Sequence, residues 1–187
     1  MEGLNFFESN ILLWIQENLR IDALDSLMPL VSAVNNAGIL SILVVTLLLL
    51  LRRYRPVGVT AFFSLAVEFI VVNLLLKDVV ARIRPYIVNE KLILLGHMPR
   101  DYSFPSGHSG AAFAVAVTLF LCGRDGAIPN KCGVSALAVA FLIAFSRLYN
   151  AAHYPTDVLA GMLIGTLTSV LAYKCIYTRW FKRKLGD

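Results

Sequence analysis

The residues of this chain that can do chemistry fall in three short clusters. The first is KDVVARIRP, residues 77–85, in which Lys77 and Arg84 stand seven positions apart. Two turns of a helix would bring these cations to nearly the same face, and Pro85 would then stop the helix. The second is FPSGH, residues 104–108, directly ahead of a run of small apolar residues. Ser106 suits a helix N-cap. Gly107 and His108 would open the helix, with free backbone N–H groups able to take an anion and the imidazole within reach of it. The third is SRLYNAAHYPTD, residues 146–157. Arg147 closes one apolar segment, and His153 and Asp157 bracket the start of the next, with Pro155 and Thr156 as helix-start residues. A carboxylate four positions after a histidine can accept from its Nδ1–H, which leaves the Nε2 lone pair as a nucleophile or base.

Each cluster has an ordinary alternative. Lys77 and Arg84 suit side chains reaching for lipid headgroups. Ser106 suits a plain cap beside an interfacial histidine. Asp157 suits the acid that commonly opens a helix, with His153 merely in the loop. Taken together they supply three cations, a helix N-terminus and two histidines, one with an orienting carboxylate. That is the equipment for phosphoryl transfer without a metal or other cofactor. Cations neutralise the phosphoryl oxygens, one histidine attacks phosphorus, and the other protonates the leaving oxygen.

The elements that must position these residues are apolar. Of 187 residues, 58% are hydrophobic and 16% charged, with a mean hydropathy of +0.71, which marks an integral membrane protein. The pattern predicts an all-α bundle of five transmembrane helices, at 27–51, 57–76, 107–122, 133–149 and 157–177, each near bilayer length. The third is short, so its polar start is expected below the outer surface, in a protein-lined cavity. Pro29, Asn35 and Asn36 interrupt the first. Residues 6–19 read as a helix lying in the interface, with Phe7, Ile11, Trp14 and Ile15 on one face and Glu8 and Glu17 off it; a sixth span there is handicapped by its charges. No signal peptide is read at the N-terminus, which lacks a basic leader region. The organisation expected is an N-terminal interfacial helix over 1–26, a transmembrane domain over 27–177 and a basic tail over 178–187.

The net charge is +5, but the basic clusters flank apolar spans. They read as topology signals rather than as a nucleic-acid surface. Arg52, Arg53, Arg55, Arg124, Lys131 and the tail fall on one side, which is therefore cytoplasmic. The three chemical clusters fall on the other. The excess of Lys77, Arg82, Arg84, Arg100 and Arg147 on that outer side runs against the positive-inside rule, and a site for a polyanion accounts for it.

The pattern Lys77-x6-Arg84-Pro85, then Pro105-Ser106-Gly107-His108, then Ser146-Arg147-x5-His153-x3-Asp157 resembles the signature of the type 2 phosphatidic acid phosphatase superfamily of membrane lipid phosphatases, over roughly residues 57–177. The resemblance implies a helical bundle with its site near the outer leaflet of a bacterial cell membrane, and a lipid phosphate or diphosphate as substrate. It implies His153 as the nucleophile that becomes phosphohistidine, Asp157 as its partner and His108 as the general acid. Lys77, Arg84, Ser106, Gly107 and Arg147 would bind phosphate. Many bacterial members have six spans, against five and an interfacial helix here. Undecaprenyl diphosphate is the expected substrate on that resemblance, with phosphatidic acid or phosphatidylglycerophosphate as alternatives; Arg82 and Arg100 would balance a second phosphate. A vanadate-dependent haloperoxidase shares the signature but is soluble. A non-catalytic lipid-binding or transport protein needs cations but not an oriented histidine.

The remaining polar and small residues are read more plainly. Cys122, Cys132 and Cys175 have neither metal nor redox spacing. His97 reads as a solvated loop residue, in a loop whose LILL stretch suits either an ordinary loop or a lid. Glu68, in mid-span, is an intramembrane acid and so a functional candidate, with a buried hydrogen bond, to Asn73 or a tyrosine, as the alternative. Gly161-x3-Gly165 suits close packing within the bundle rather than dimerisation. The oligomeric state is not legible.

Overall fold

The computed structural model describes residues 2–179, and these are helical with short connections except for the loop over 89–106. In chain order they form α1 (Glu2–Leu19), α2 (Asp22–Val34), α3 (Ile39–Leu50) and α4 (Arg55–Phe69). A π-helical stretch, Ile70–Leu76, carries α4 into the short α5 (Lys77–Val80), and α6 (Pro85–Val88) follows. After a loop come α7 (Gly107–Arg124), α8 (Asn130–Tyr149) and α9 (Pro155–Ala172), the last extended by a π-helical turn at Tyr173–Tyr177. Of the predicted basic tail, residues 180–187 lie outside the described residues.

Helix α7 is the axis of the bundle, with α4, α8 and α9 packed around it. Its small residues make this work. A Cβ added at Gly165 on α9 would lie 2.3 Å from the Gly110 carbonyl oxygen on α7, and one at Gly161 would lie 2.4 Å from the Ser106 carbonyl oxygen. On the other flank, a Cβ at Gly133 of α8 would stand 2.5 Å from the Phe120 Cα. The Gly161-x3-Gly165 pair is thus consumed inside the bundle. Because the neighbours it would strike are backbone atoms, Gly165→Ala is expected to destabilise the protein by about 1–3 kcal/mol. Gly3→Ala, with open space around it, is the control. Thermal unfolding in one detergent checks the pair.

Among the described residues three helices are long and apolar enough to cross a membrane, namely Arg52–Val88, Asn130–Tyr149 and Pro155–Tyr177. A fourth span is counted if Asp22–Val34 and Asn36–Leu50, bent by 40° at their junction, act as one. The predicted third span is α7, which is not among them. Being wrapped by other helices, with Ser109, Ala114, Thr118 and Cys122 fully buried, it needs little lipid-facing apolar surface. The chain is an all-α, multi-pass membrane protein.

Two local expectations are corrected. Pro29 lies inside α2 without breaking it. The break falls at 35–38, where the two asparagines stand, and Ala37 and Gly38 turn the chain with φ of 49° and 72°. The predicted apolar face of α1 is also split. Ile15 is buried with Leu12 against Met28, Leu92 and Tyr154, whereas Phe7 and Trp14 are exposed and Glu8 is buried. The helix docks by a face that includes a carboxylate, because a buried cation waits for it. Leu92, from the LILL stretch, packs in the same cluster, and His97 is exposed.

Candidate active site

The ends of α5, α7, α8 and α9 that carry the three clusters converge. Lys77 and Arg84 do not meet by helical periodicity, as the seven-residue spacing predicts. The helix ends at Val80, Ala81 turns into the left-handed region at φ 48°, and Arg84 is extended at φ −72°, ψ 149°. That is the conformation a residue before proline favours, and Pro85 begins α6 rather than ending a helix. The two cations converge all the same, on a residue outside the motifs. Asp101 Oδ2 accepts from Lys77 Nζ, and Asp101 Oδ1 accepts from Arg84 Nη2 at 2.7 Å. Burial pushes the Asp101 carboxyl up, but the Lys77 hydrogen bond and the charges of Lys77 and Arg84 outweigh it and bring its pKa down to about 2.

Helix α7 begins as predicted. Ser106 is the N-cap, its Oγ accepting the Ser109 N–H at 3.4 Å, and Gly110 N–H donates to the Ser106 carbonyl at 3.0 Å. The cap therefore leaves the N–H groups of Gly107 and His108 free at the start of the helix. His108 Nε2 lies 2.9 Å from Asn36 Oδ1, and the Asn35 amide donates to the His108 carbonyl at 3.2 Å. The asparagines that interrupt the first span thus hold the mouth of α7.

At the third cluster Asn150 caps α8, and Ala151, at φ 53°, turns the chain so that His153 and Tyr154 are buried. Arg84 Nη1 stands 3.2 Å from His153 Nε2. An arginine can only donate, so Nε2 is the acceptor and the proton is on Nδ1. Burial, followed by the charges of Arg147, Arg84 and Lys77, holds the His153 pKa well below the ordinary imidazole range, so the ring is neutral. Asp157 Oδ2 lies 3.6 Å from His153 Nδ1, beyond hydrogen-bond length. That oxygen accepts from Ser103 Oγ at 2.5 Å and from the Tyr154 N–H at 2.9 Å, so Asp157 is both the neighbour of His153 and the acid that opens α9. Asp157 Oδ1 accepts from Arg82 Nη1 at 2.6 Å.

One cavity of about 830 Å³ is lined by Lys77, Arg84, Gly107, His108, Arg147 and His153 together. Ser106 and Asp157 stand behind its wall. Glu68 and Asn73 also line it; Glu68 is buried, its Oε1 lies against Gly110 and makes no hydrogen bond, so the buried bond to Asn73 or a tyrosine is not formed at that atom. From the charged end the cavity runs between α3 and α4 past Ile42, Val45, Phe62 and Leu65, an apolar slot. Lys77, Arg84 and Arg147 gather at the charged end, where Asp101 bonds two of them, so that end suits an anion and the slot a hydrocarbon chain. Arg82 is not free for a second phosphate. It is buried, with its guanidinium committed to Asp157, Glu8 and Asn5. Arg100 is exposed at the rim, beside Asp101. Sequence reasoning missed Asn36, Asp101, Ser103 and the true place of Glu8. Of these only Glu8, an acid within an apolar helix, carried a signal.

Residues 57–181 match the family model described as the PAP2 superfamily. An undecaprenyl-diphosphatase of Sulfolobus acidocaldarius is 36% identical over 129 residues, covering 69% of this chain and 60% of that protein. The undecaprenyl-diphosphatase BcrC of Bacillus subtilis is 29% identical over 105 residues, covering 56% of this chain and 51% of its own length. The chain thus spans less than two thirds of either relative. A crystal structure of a transmembrane PAP2 type phosphatidylglycerolphosphate phosphatase from Bacillus subtilis superposes with a TM-score of 0.75 at 22% identity, covering 93% of this chain and 86% of that one. Aquifex aeolicus LpxE gives 0.64 at 23% identity, covering 88% and 93%. At these identities the two structures speak for the fold. With three motifs closing on one cavity and a family match over most of its length, this chain belongs to the PAP2 superfamily.

Proposed function

We propose that the protein is a membrane lipid phosphatase that works through a phosphohistidine intermediate without a metal, and that its preferred substrate is undecaprenyl diphosphate. The observation that carries the reading is the neutral His153 with its Nε2 acceptor directed at Arg84, in a cavity that also holds Lys77, Arg147 and His108. Lys77, Arg84, Arg147 and the N–H groups of Gly107 and His108 would hold the phosphoryl oxygens, exchanging Asp101 for the substrate's phosphate. His153 Nε2 attacks phosphorus in line. The N–P bond forms as the bond to the leaving oxygen breaks, and His108 gives that oxygen its proton. With Nε2–H held by Asn36, His108 acts as the imidazolium: it gives up its Nδ1 proton in this step and regains one there in the next. Water then attacks the phosphohistidine, His108 takes a proton from it, and inorganic phosphate leaves. Three buried cations already neutralise the phosphate, and they disfavour a divalent ion at the same place.

The choice of a diphosphate rests on the names of the two relatives, and the apolar slot offers room for a hydrocarbon chain such as a polyprenyl tail. Only Arg100 remains as a free cation of the two assigned to a second phosphate. By the distribution of basic residues, the site faces the outside and the C-terminus the cytoplasm. The expected result is at least a tenfold higher kcat/KM, about 1.4 kcal/mol, for undecaprenyl diphosphate over phosphatidic acid and phosphatidylglycerophosphate in one detergent. A tenfold preference for either glycerolipid would overturn the substrate. Phosphate release from none of them would overturn the enzyme.

A further inference from the structure

Behind Asp157 lies a chain of buried charges that the motifs do not include. Arg82 Nη1 donates to Asp157 Oδ1 at 2.6 Å and to Thr156 Oγ1 at 2.8 Å. Its Nη2 donates to Glu8 Oε2 at 2.5 Å and to Asn5 Oδ1 at 2.6 Å, and its Nε donates to Asn5 Oδ1 at 3.1 Å. The guanidinium is stacked 3.8 Å from the centre of the Tyr154 ring. Glu8 in turn accepts the Thr156 N–H at 2.7 Å and the Thr156 hydroxyl at 3.1 Å. Arg82, Glu8 and Asp157 are all buried. Glu8 and Asn5 belong to α1, outside the residues 57–181 that match the family.

The order of charges is negative, positive, negative. Arg82 alone would cancel Asp157 as the anion beside His153. Glu8 cancels Arg82 instead and leaves the triad a net negative charge at its Asp157 end. Buried ion networks are weak stabilisers, because desolvation opposes their Coulomb gain, so stability alone does not explain this one. We propose that Arg82 and Glu8 are positioning residues for Asp157, and that α1 is thereby part of the apparatus that sets the proton affinity of His153. This rests on the phosphohistidine reading. The other charged and titratable groups facing His153 are Lys77 and Arg84 from the segment after α4, Asp101 from the loop, His108 from α7 and Arg147 from α8. All of them stay unchanged in the variants below.

The sign follows directly. Arg82→Gln removes a positive charge behind Asp157, so His153 binds its proton more tightly and the neutral nucleophile is lost at higher pH. Glu8→Gln removes a negative charge and has the opposite effect. The experiment uses the full chain in detergent and the best substrate of the lipid panel, labelled in its terminal phosphate. The rate of phosphoenzyme formation in rapid-quench single turnovers is followed against pH. The acid limb is expected to move up by about one unit in Arg82→Gln and down by about one unit in Glu8→Gln. In the double variant, where Asp157 again meets a net neutral neighbour, it returns to within about 0.3 units of the wild type. A merely structural loss would slow all three without moving the limb. Limbs that stay put, move the same way in both single variants or are not restored in the double variant would overturn the proposal. Should Arg82→Gln not fold, Glu8→Gln and the charge-conserving Arg82→Lys decide it, since the first must move the limb and the second must not. A wild type that forms no phosphoenzyme defeats the underlying reading, whereas one that forms it with unmoved limbs defeats this inference alone.

Discussion

His153→Ala is expected to yield a folded protein that releases phosphate from no lipid, a loss of about four to six orders of magnitude in kcat. The reason is specific to the nitrogen. His153 Nε2 stands 3.2 Å from Arg84 Nη1, among the cations that would hold the phosphate. His108 has its Nε2 held by Asn36, and Asp101 is bound to Lys77 and Arg84. The fold should survive, because His153 sits in a connection whose backbone is fixed by others: Asn150, Ala151 and Ala152 donate their N–H groups to the end of α8, and Arg84 Nη1 holds the Ala152 carbonyl at 2.8 Å. Substrate affinity should largely persist, since the cations remain. Phosphate release and lipid binding measured on the same purified variant check both halves. Turnover within about a hundredfold of the wild type would mean that another group attacks phosphorus.

What was legible in the sequence was what is local. Ser106 as cap and His108 in the first turn of α7 are relations fixed by helix geometry, and Asp157 four residues after His153 is a relation of short range across the turn into α9. Their joint placement at one end of the bundle followed from counting spans. The gathering of Lys77 and Arg84 was read correctly for a reason the structure replaces, since the helix ends between them and Asp101 draws them together. What was illegible came from far along the chain. Asn36 reaches His108 across 72 positions, and Glu8 reaches Arg82 across 74. No periodicity carries such pairs. The docking face of α1 was missed for the same reason: its apolar pattern grouped Ile15 with Phe7 and Trp14, but Ile15 is buried while those two are exposed, and a buried ion pair at Glu8 sets the face that docks. Conversely, α7 is too polar at its mouth to pass as an ordinary span. It is tolerated because α4, α8 and α9 enclose it and the glycines of α8 and α9 let their backbones approach.

The Asp157→Asn variant separates orientation from charge. It is expected to lower kcat by about three to four orders of magnitude, with KM changed less than about threefold because Lys77, Arg84 and Arg147 are untouched. Asp157 receives donors on both oxygens, Arg82 on Oδ1 and both Ser103 and Tyr154 on Oδ2. Asparagine has one acceptor to offer, so either Arg82 or the Tyr154 N–H must face an amide NH2. A buried mismatch of this kind costs about 1–3 kcal/mol in stability, and the melting temperature should fall while the helical content holds. The larger effect falls on catalysis. With the carboxylate gone, Arg82 and Glu8 cancel, and no net negative charge remains on the Nδ1 side of His153 to stabilise the charge it takes up as its Nε2 bonds to phosphorus. The barrier that rises is that of attack, not of departure. A substrate with a better leaving group, which needs less help from His108, should therefore recover little of the lost rate. Steady-state kinetics on a natural lipid and on an activated aryl phosphate test this. Recovery of most of the rate with the aryl phosphate would place Asp157 on the leaving-group side of the reaction and take it away from His153.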